Sequence, residues 1–352
     1  MPTGWTYSHF LFNYEWGFCK RGLIGEILRQ LDWPALTSYQ FFLSFHLLLF
    51  IITLGVLLSL LKTMIDSNQR PLQLAMLLYV SSVAIPMMAN TIAYADHIGL
   101  LLTLIILKTR PGAFKLGLSA LGFCFALLIH EVNAILFLPL LAISLFIDSQ
   151  QSDTPKWQLI FTVLIITALA LLSLFMTQAL LSAEANQSMG RALSVKVGIA
   201  LRVDAFATLS RSFMQNFTLI SSNIAPQKSI TAYAHSLIVT LPTSVILILM
   251  ASQYFKSLSL PRLLRALAVL APLSPLLLHS VAWDYNRWNA LVITLSFLLL
   301  YDGFRRNKPL KLSPFWYRCE PLFYFMLFLN GASSLLLLNR THLKQFPFLI
   351  SS

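Results

Sequence analysis

The chain has 352 residues, of which 57% are hydrophobic and only 11% charged, with a formal net charge of +12. Soluble proteins carry about 25% charged residues, so this composition excludes an ordinary soluble domain. Several apolar runs reach the roughly 20 residues that a bilayer-spanning helix needs, which predicts an all-α, polytopic membrane protein. Nucleic acid is disfavoured as a partner, because no basic run alternates with stacking aromatic residues on a soluble module.

The first 37 residues form a polar-rich stretch ahead of the apolar chain. Glu15, Lys20 and Arg21 lie there among aromatic side chains. Residues 23–31 place leucine and isoleucine at helical spacing, which predicts an amphipathic helix at the membrane interface. The stretch lacks the uninterrupted apolar core of a signal peptide. We therefore expect residues 1–37 to form an N-terminal segment outside the membrane bundle.

Apolar runs predict a transmembrane helical bundle of about ten spans between residues 38 and 338. The run at 116–147 is ambiguous, because a single helix of that length measures about 50 Å against a hydrocarbon core of about 30 Å. It would also bury His130 and Glu131 at the bilayer centre, at a cost of several kcal/mol. We therefore divide this run at His130–Glu131 into two short helices. The remaining runs are 39–61, 72–89, 98–107, 158–181, 235–255, 263–282, 289–301 and 321–338.

This division places most loop lysines and arginines on one side, as the positive-inside rule expects of cytoplasmic loops. The N-terminal segment, a long loop at 183–234 and a tail at 339–352 then lie on the non-cytoplasmic face. Ionisable groups at a membrane edge are functional candidates by default, so we predict a cavity open to this face. The candidates that fall there are Glu15, Lys20, Arg21, Asp96, His97, His130, Glu131, Asp284 and Arg287.

Two carboxylates beside apolar runs are candidates for proton transfer. Asp96 ends a polar turn before a short span, and either acts as a general base or caps the following helix. Glu131 lies between apolar stretches, where its charged form is disfavoured unless it is paired. That environment suits an acid or base working near neutral pH. The alternative is an ion pair between Glu131 and either Arg21 or Arg287 that fixes helix packing.

The cations near these acids suggest anion binding. Lys20 and Arg21 lie on the face where membrane orientation needs no positive charge, which favours a bound anion over a topological role. Asp284 and Arg287 are three residues apart on one helical face. Arg287 suits bidentate binding of a phosphate that Asp284 orients. The alternatives are a solvated helix start for the first pair and a surface pair among interfacial tryptophans for the second.

His97 and His130 adjoin the two buried acids and are further candidates for substrate binding. The spacing of histidine and acidic residues matches no metal motif, and in particular no HExxH occurs. We therefore predict no cofactor and no metal ligands, although a divalent cation is compatible with the acids. The three cysteines are scattered and suggest neither a disulfide framework nor a metal site.

An outer-face acid, an amphipathic helix on the membrane and a bundle with polar helix ends together resemble the GT-C glycosyltransferases. More loosely, the layout resembles bacterial O-antigen and capsule polymerases. The resemblance implies a multi-pass protein of the bacterial inner membrane that takes part in envelope glycan synthesis. It implies a polyprenyl-phosphate-linked sugar as donor, with membrane lipids as partners. By position it gives Glu15 the acceptor-side role, although the families carry an acidic pair there and this chain has one acid.

The leading hypothesis is therefore a membrane glycosyltransferase or polysaccharide polymerase. Glu15, Asp96 or Glu131 would activate the acceptor hydroxyl, and the arginines named above would hold the phosphate of the donor. The alternative is a transporter or flippase with Asp96, Glu131 and Asp284 as coupling residues. Transporters often show paired halves with broken helices, and the sequence shows no such symmetry. A non-catalytic assembly protein is a further alternative.

Overall fold

The computed structural model describes residues 4–150, 156–178, 181–223, 227–258, 260–280, 284–307 and 311–337. Within these residues all regular structure is helical and no strand occurs, which confirms the all-α class. Two short 3-10 segments, Pro34–Thr37 and Ala271–Ser280, accompany the α-helices. The predicted tail at 339–352 lies outside the described residues. The helices are α1 Gly4–Phe10, α2 Leu23–Leu31, α3 Tyr39–Ile65, α4 Arg70–Ser81, α5 Ala84–Asn90, α6 Asp96–Lys108, α7 Ala113–Ile129, α8 Asn133–Leu136, α9 Leu138–Ser149, α10 Lys156–Met176, α11 Ala183–Val197, α12 Val203–Ala207, α13 Phe213–Asn223, α14 Gln227–Ser257, α15 Arg262–Leu270, α16 Tyr285–Arg306, α17 Pro314–Arg318 and α18 Glu320–Leu337.

Five helical segments in the described part of the chain are long and apolar enough to cross a membrane. Each coincides with one of the predicted spans, and their length and composition are those of a membrane protein. The other predicted runs fall on α6, α7, α9, α16 and α18, which are also helical. The five segments are Tyr39–Ile65, Arg70–Asn90, Trp157–Met176, Ser236–Ser257 and Arg262–Ser280.

The chain reverses direction at His130–Glu131, as predicted. Helix α7 ends at Ile129, and His130 has an extended backbone. Lys115 in the first turn of α7 donates from Nζ to Asp148 Oδ2 in the last turn of α9, at 2.7 Å. The start of α7 therefore lies beside the end of α9, so the two helices run in opposite directions. The polar pair lies at the turn between them.

Ion pairs mark the two ends of the bundle. At one end, Arg306 in the last turn of α16 donates to Asp148 Oδ1 at 2.5 Å, beside Lys115. We call this the basic end. At the other end, Arg287 in the first turn of α16 lies 3.5 Å from the carboxylate of Asp96, the first residue of α6. We call this the cap end, after the structure that covers it.

Helix α16 is the centre of the bundle, because its side chains are buried from Arg287 to Phe304. Lipid chains are as apolar as leucine, so close packing and buried polar bonds rather than apolar burial hold helices together in a membrane. One such bond joins α16 to α14, where Asn289 Nδ2 donates to Ser236 Oγ at 2.8 Å. This rigid central helix fixes the position of Arg287.

Two segments far apart in sequence, residues 4–37 and 181–211, share a second hydrophobic core over one end of the bundle. We call this unit the cap. The rings of Phe12 and Phe206 lie 4.9 Å apart between centroids, and Ser8 Oγ accepts the Arg202 N–H at 3.1 Å. The first part of the predicted 183–234 loop is therefore packed on the N-terminal segment.

The helix predicted at residues 23–31 forms α2, which belongs to the cap. Its Gly25 and Leu28 are buried, whereas Ile27 and Leu31 on its other face are exposed. Trp33, just beyond the helix, is 63% exposed. Helix α2 therefore buries one side in the cap and leaves apolar side chains exposed on another.

Candidate functional site

An ion pair joins the cap to the turn between α7 and α8. Arg21 donates from Nε to Glu131 Oε2 at 2.9 Å and from Nη2 to Glu131 Oε1 at 2.5 Å. Both side chains are only 12% exposed. Two parallel bonds of this kind are the strongest geometry between a guanidinium and a carboxylate. Of the two partners that the sequence leaves open for Glu131, the structure selects Arg21 rather than Arg287.

The backbone around Arg21 explains how it reaches Glu131. Arg21 has a φ of 64°, a left-handed conformation that is uncommon for residues other than glycine. Helix α2 follows directly and packs closely on the chain before it. A Cβ at position 25 would lie 2.0 Å from the carbonyl oxygen of Phe12. Glycine at position 25 thus allows α2 to pack here, and the position of α2 sets the direction of Arg21.

Lys20, the neighbour of Arg21, has a different partner. It is 2% exposed and donates from Nζ to the carbonyl oxygen of Arg211 at 2.6 Å. Burial lowers the pKa of Lys20, although the charge of Glu131 opposes that shift. In this structure the predicted anion-binding lysine ties the N-terminal segment to the chain just before α13.

Two neutral histidines flank the Arg21–Glu131 pair. His130 Nδ1 accepts the Val132 N–H at 3.2 Å, which places the ring proton on Nε2. Its contact with Glu131 Oε2 at 3.6 Å is therefore not an ion pair. Burial, followed by the charge of Arg21, lowers the pKa of His130 to about 3. The same causes hold the pKa of His9 well below its usual range.

Glu131 itself remains ionised in this environment. Burial alone would raise its pKa, but the charge of Arg21 and the Arg21 hydrogen bonds outweigh burial and lower it. A carboxylate with a lowered pKa is a weak proton acceptor at neutral pH. Glu131 is therefore suited to hold Arg21, and it becomes a strong base only if Arg21 moves away.

Asp96 and Arg287 form a second pair with a different character. Their closest approach, Arg287 Nε to Asp96 Oδ2, is 3.5 Å, and among the described residues neither oxygen of Asp96 has a hydrogen-bond partner. On Arg287, Nε and Nη1 also lack a partner. Both residues are more than nine-tenths buried. Buried polar atoms are almost always hydrogen-bonded, so this pair has unused capacity to bind a polar group.

Aromatic rings fix the plane of the Arg287 guanidinium. Its Cζ lies 4.1 Å from the ring centroid of Tyr94 and 3.9 Å from that of Trp288. A guanidinium stacked in this way keeps its N–H groups in a fixed plane, where they suit an oxygen ligand. Arg287 Nη2 lies 3.3 Å from Asp284 Oδ2 on the more exposed side. The unpartnered N–H groups therefore belong to the buried side.

Two small cavities lie beside these pairs. One of about 20 Å³ is bounded by Asp96, His97 and Arg287 together with apolar side chains. Another of about 30 Å³ is bounded by Arg21 and His130 with aromatic residues of the cap. Each has room for only one or two water molecules. A larger ligand therefore requires either cavity to widen, and for the second cavity this means movement of the cap residues that bound it.

The remaining predicted site residues occupy distinct positions. His97 is buried beside Asp96 and its Nε2 lies 3.1 Å from the Thr91 carbonyl oxygen. The Asp284 side chain is 51% exposed, at the rim of the site. Glu15 is exposed on the cap, and within the described residues no side-chain hydrogen bond or ion pair joins it to the buried pairs. The structure brings Arg21, Glu131, Asp96, His97, His130 and Arg287 together at the cap end.

Three residues of this site are missed by sequence reasoning. His9 approaches Arg21 Nη1 at 3.4 Å, and Tyr94 and Trp288 enclose Arg287. His9 gives no sequence signal, since it stands alone in an aromatic segment. Tyr94 and Trp288 are each close in sequence to a predicted candidate, and aromatic residues beside a buried arginine are a signal for stacking.

Within the described ranges no group of three or more histidine, cysteine or acidic side chains is arranged to hold a metal ion. The described site contains two buried carboxylates, two guanidinium groups and neutral histidines. Such a set can accept a proton from a hydroxyl group and stabilise a developing negative charge. Comparisons with protein-family models, curated proteins and solved structures found no match to this chain.

Proposed function

We propose that this chain is a membrane glycosyltransferase or polysaccharide polymerase that uses a polyprenyl-phosphate-linked sugar donor. In this proposal about ten helices cross the bacterial inner membrane, and the cap end faces the non-cytoplasmic side. Helix α2 lies in the membrane interface. One observation carries the proposal: Asp96 and Arg287, both buried, present unused acceptor and donor atoms to the same small space.

In the proposed reaction, Asp96 acts on the acceptor and Arg287 acts on the donor phosphate. The acceptor hydroxyl donates its hydrogen bond to Asp96, whose carboxylate takes the proton as the hydroxyl oxygen forms the new bond to the anomeric carbon. The bond from that carbon to the donor phosphate breaks, and the phosphate oxygen leaves with the electron pair. The free N–H groups of Arg287 lie beside Asp96 and stabilise the charge on the leaving phosphate.

The Arg21–Glu131 pair contributes a second cation at the same end. Arg21 belongs to the cap, and Glu131 belongs to the turn of the bundle. When the cap moves to admit a donor, Arg21 leaves Glu131 and binds the donor phosphate. A phosphate and a carboxylate can each accept two parallel N–H bonds from an arginine. Glu131 is then unpaired in an apolar environment, which raises its tendency to take a proton.

The test is surface glycan in cells whose sole copy of the protein carries Asp96→Asn. This change keeps the shape of the side chain and removes its ability to accept a proton. We expect glycan amount or chain length to fall at least about 100-fold with normal protein level, as loss of a general base predicts. The matched control is Asp66→Asn, the same change at an exposed residue. Normal glycan in the Asp96→Asn cells would refute the proposal.

The second candidate is a transporter or flippase in which Asp96, Glu131 and Asp284 are coupling residues. It is favoured by the buried carboxylate of Asp96, whose two oxygens have no hydrogen-bond partner. Purified protein in vesicles separates the two functions. A transferase joins the labelled sugar of a lipid-linked donor to an acceptor, whereas a transporter moves the intact lipid-linked sugar across the bilayer and forms no new glycosidic bond.

A further inference from the structure

Helix α13 carries an exposed apolar face. Phe213, Met214 and Phe217 are 38%, 66% and 42% exposed. Their spacing of one, three and four residues places them on one side of a helix. Gln215 lies on the opposite side and is also exposed. Both sides of the helix are therefore exposed. The side with Phe213, Met214 and Phe217 is the more apolar one, since Leu219 is the exposed apolar residue on the side of Gln215.

This face continues the apolar surface of a membrane helix. The Phe213 N–H donates to the Thr177 carbonyl oxygen, just beyond the end of α10, at 2.9 Å. Helix α10 contains Trp157–Met176, which is long and apolar enough to cross a bilayer. Leu174 and Phe175 in its last turn are 64% and 50% exposed. The exposed side chains of α13 therefore begin where the lipid-facing side chains of α10 end.

The cap adds a third element to this surface. Phe18 is 40% exposed, and its ring centroid lies 5.9 Å from that of Phe175. The chain then buries Cys19 and Lys20, and Lys20 binds the Arg211 carbonyl oxygen two residues before α13. The cap and α13 are thus joined next to the same end of α10.

We propose that the face formed by Phe18, Phe213, Met214 and Phe217 lies in the lipid bilayer, at the boundary between head groups and acyl chains. Helix α13 has 11 residues and measures about 16 Å, which is too short to span the hydrocarbon core. An amphipathic helix of this kind buries its apolar face at the interface. The Lys20–Arg211 bond then holds the cap at a fixed height above the membrane.

Continuity with α10 is what selects lipid as the occupant of this face. A soluble partner protein on the same face would have to displace lipid from the last turn of α10, where Leu174 and Phe175 are exposed. The position of the cap end in the membrane does not depend on the reaction. The test below can therefore fail while the proposed function holds, and the reverse.

The test uses two nitroxide labels on opposite faces of one helix. Phe217→Cys and Gln215→Cys are each made in a chain whose three native cysteines are replaced by alanine, and the labelled proteins are reconstituted into phospholipid vesicles. Collision rates with oxygen, which concentrates in lipid, and with a water-soluble nickel complex are then measured. We expect the label at 217 to favour oxygen and the label at 215 to favour nickel, each by several-fold.

Equal access of nickel to both labels would overturn the proposal, and so would protection of the 217 label from both reagents, because that result indicates a protein partner. Met214→Cys supplies a second site on the apolar face if Phe217→Cys is not stable. Met214 is the most exposed of the three α13 residues, so its replacement removes little packing. The same preference for oxygen is required there.

Discussion

The two ends of the bundle hold similar sets of charges in different ways. At the basic end, Asp148 accepts hydrogen bonds from Lys115 and Arg306, and Asp302 accepts from Arg305 and Arg306. Every carboxylate oxygen of the two acids has a donor. Of the donor groups, only Arg305 Nη2 is buried without a partner. The carboxylates of this network thus have all their hydrogen bonds, and the network joins the start of α7 to the ends of α9 and α16.

At the cap end the matching is incomplete. The Arg21–Glu131 pair is bidentate, but both oxygens of Asp96 and two nitrogens of Arg287 are buried without hydrogen-bond partners in the described part of the chain. Leaving a buried polar group unsatisfied costs about 1–3 kcal/mol, so a chain keeps such groups where they have another use. The proposed function rests on this difference: in it, the basic end maintains the structure and the cap end binds the ligand.

The largest predicted effect is on stability at the basic end. Asp148→Ala leaves Lys115 and Arg306 buried with fewer partners, and removing one member of a buried ion network costs about 3–5 kcal/mol. We expect a large drop in the unfolding temperature of the detergent-solubilised protein. An unfolding temperature equal to that of the unchanged protein would remove the distinction between the two ends.

A smaller effect concerns packing of the cap. Gly25→Ala places a methyl group 2.0 Å from the Phe12 carbonyl oxygen, so α2 has to shift. We expect loss of activity, because α2 sets the direction of Arg21, together with a destabilisation of about 1–3 kcal/mol from overpacking. Protease sensitivity of the cap measures the shift. Gly117→Ala is the matched control, since its methyl group meets nothing within 4 Å.

A pH effect follows from the buried histidines. His9 and His130 have pKa values below the usual histidine value. As the pH falls, they therefore bind protons in the unfolded chain before they do so in the folded chain. Stability therefore falls as the pH drops below about 6.5, by about 1.4 kcal/mol per pH unit for each histidine. For His130 the fall continues to pH about 3. His130→Gln removes one of these protons, so the slope of unfolding free energy against pH falls by about 1.4 kcal/mol per pH unit. An unchanged slope would contradict the lowered pKa of His130.

The smallest effect is expected on the surface of the cap. Arg202 and Asp204 form an ion pair at 2.6 Å, but their side chains are 62% and 55% exposed. Exposed pairs of this kind contribute little to stability, because water screens the two charges. Asp204→Ala should leave both the unfolding temperature and the activity close to normal. A large loss of activity would show that the site extends to this part of the cap.

The sequence predicts the helical class and the reversal at His130–Glu131, because length and charge alone decide them. A single helix over 116–147 is too long for a bilayer and scatters the basic loops over both faces. The five long apolar helices follow from the same argument. These are properties of individual segments, and they need no knowledge of tertiary packing.

The contacts within the site depend on packing that the sequence does not reveal. Lys20 and Arg21 are adjacent cations, yet one binds a carbonyl oxygen of the cap and the other binds Glu131. Their separation comes from the left-handed backbone at Arg21. The joint core of the cap is also not predicted. Met189, Leu193, Ala205 and Leu209 of the 183–234 loop lie at helical spacing, but that spacing does not show that they pack on the N-terminal segment.

The most direct measurement of the central claim compares stability and activity in one variant, Asp96→Asn. If Asp96 is kept for ligand binding, Asp96→Asn abolishes glycan formation and lowers the unfolding temperature much less than Asp148→Asn. The reason is that the Asp96 side chain makes no close hydrogen bond within the described ranges, and Arg287 keeps Asp284 as a partner. Asp148→Asn at the basic end is the matched change, and it should lower the unfolding temperature. If Asp96→Asn instead destabilises the protein as much as Asp148→Asn and retains normal glycan, then Asp96 is structural and the account of the two ends is wrong.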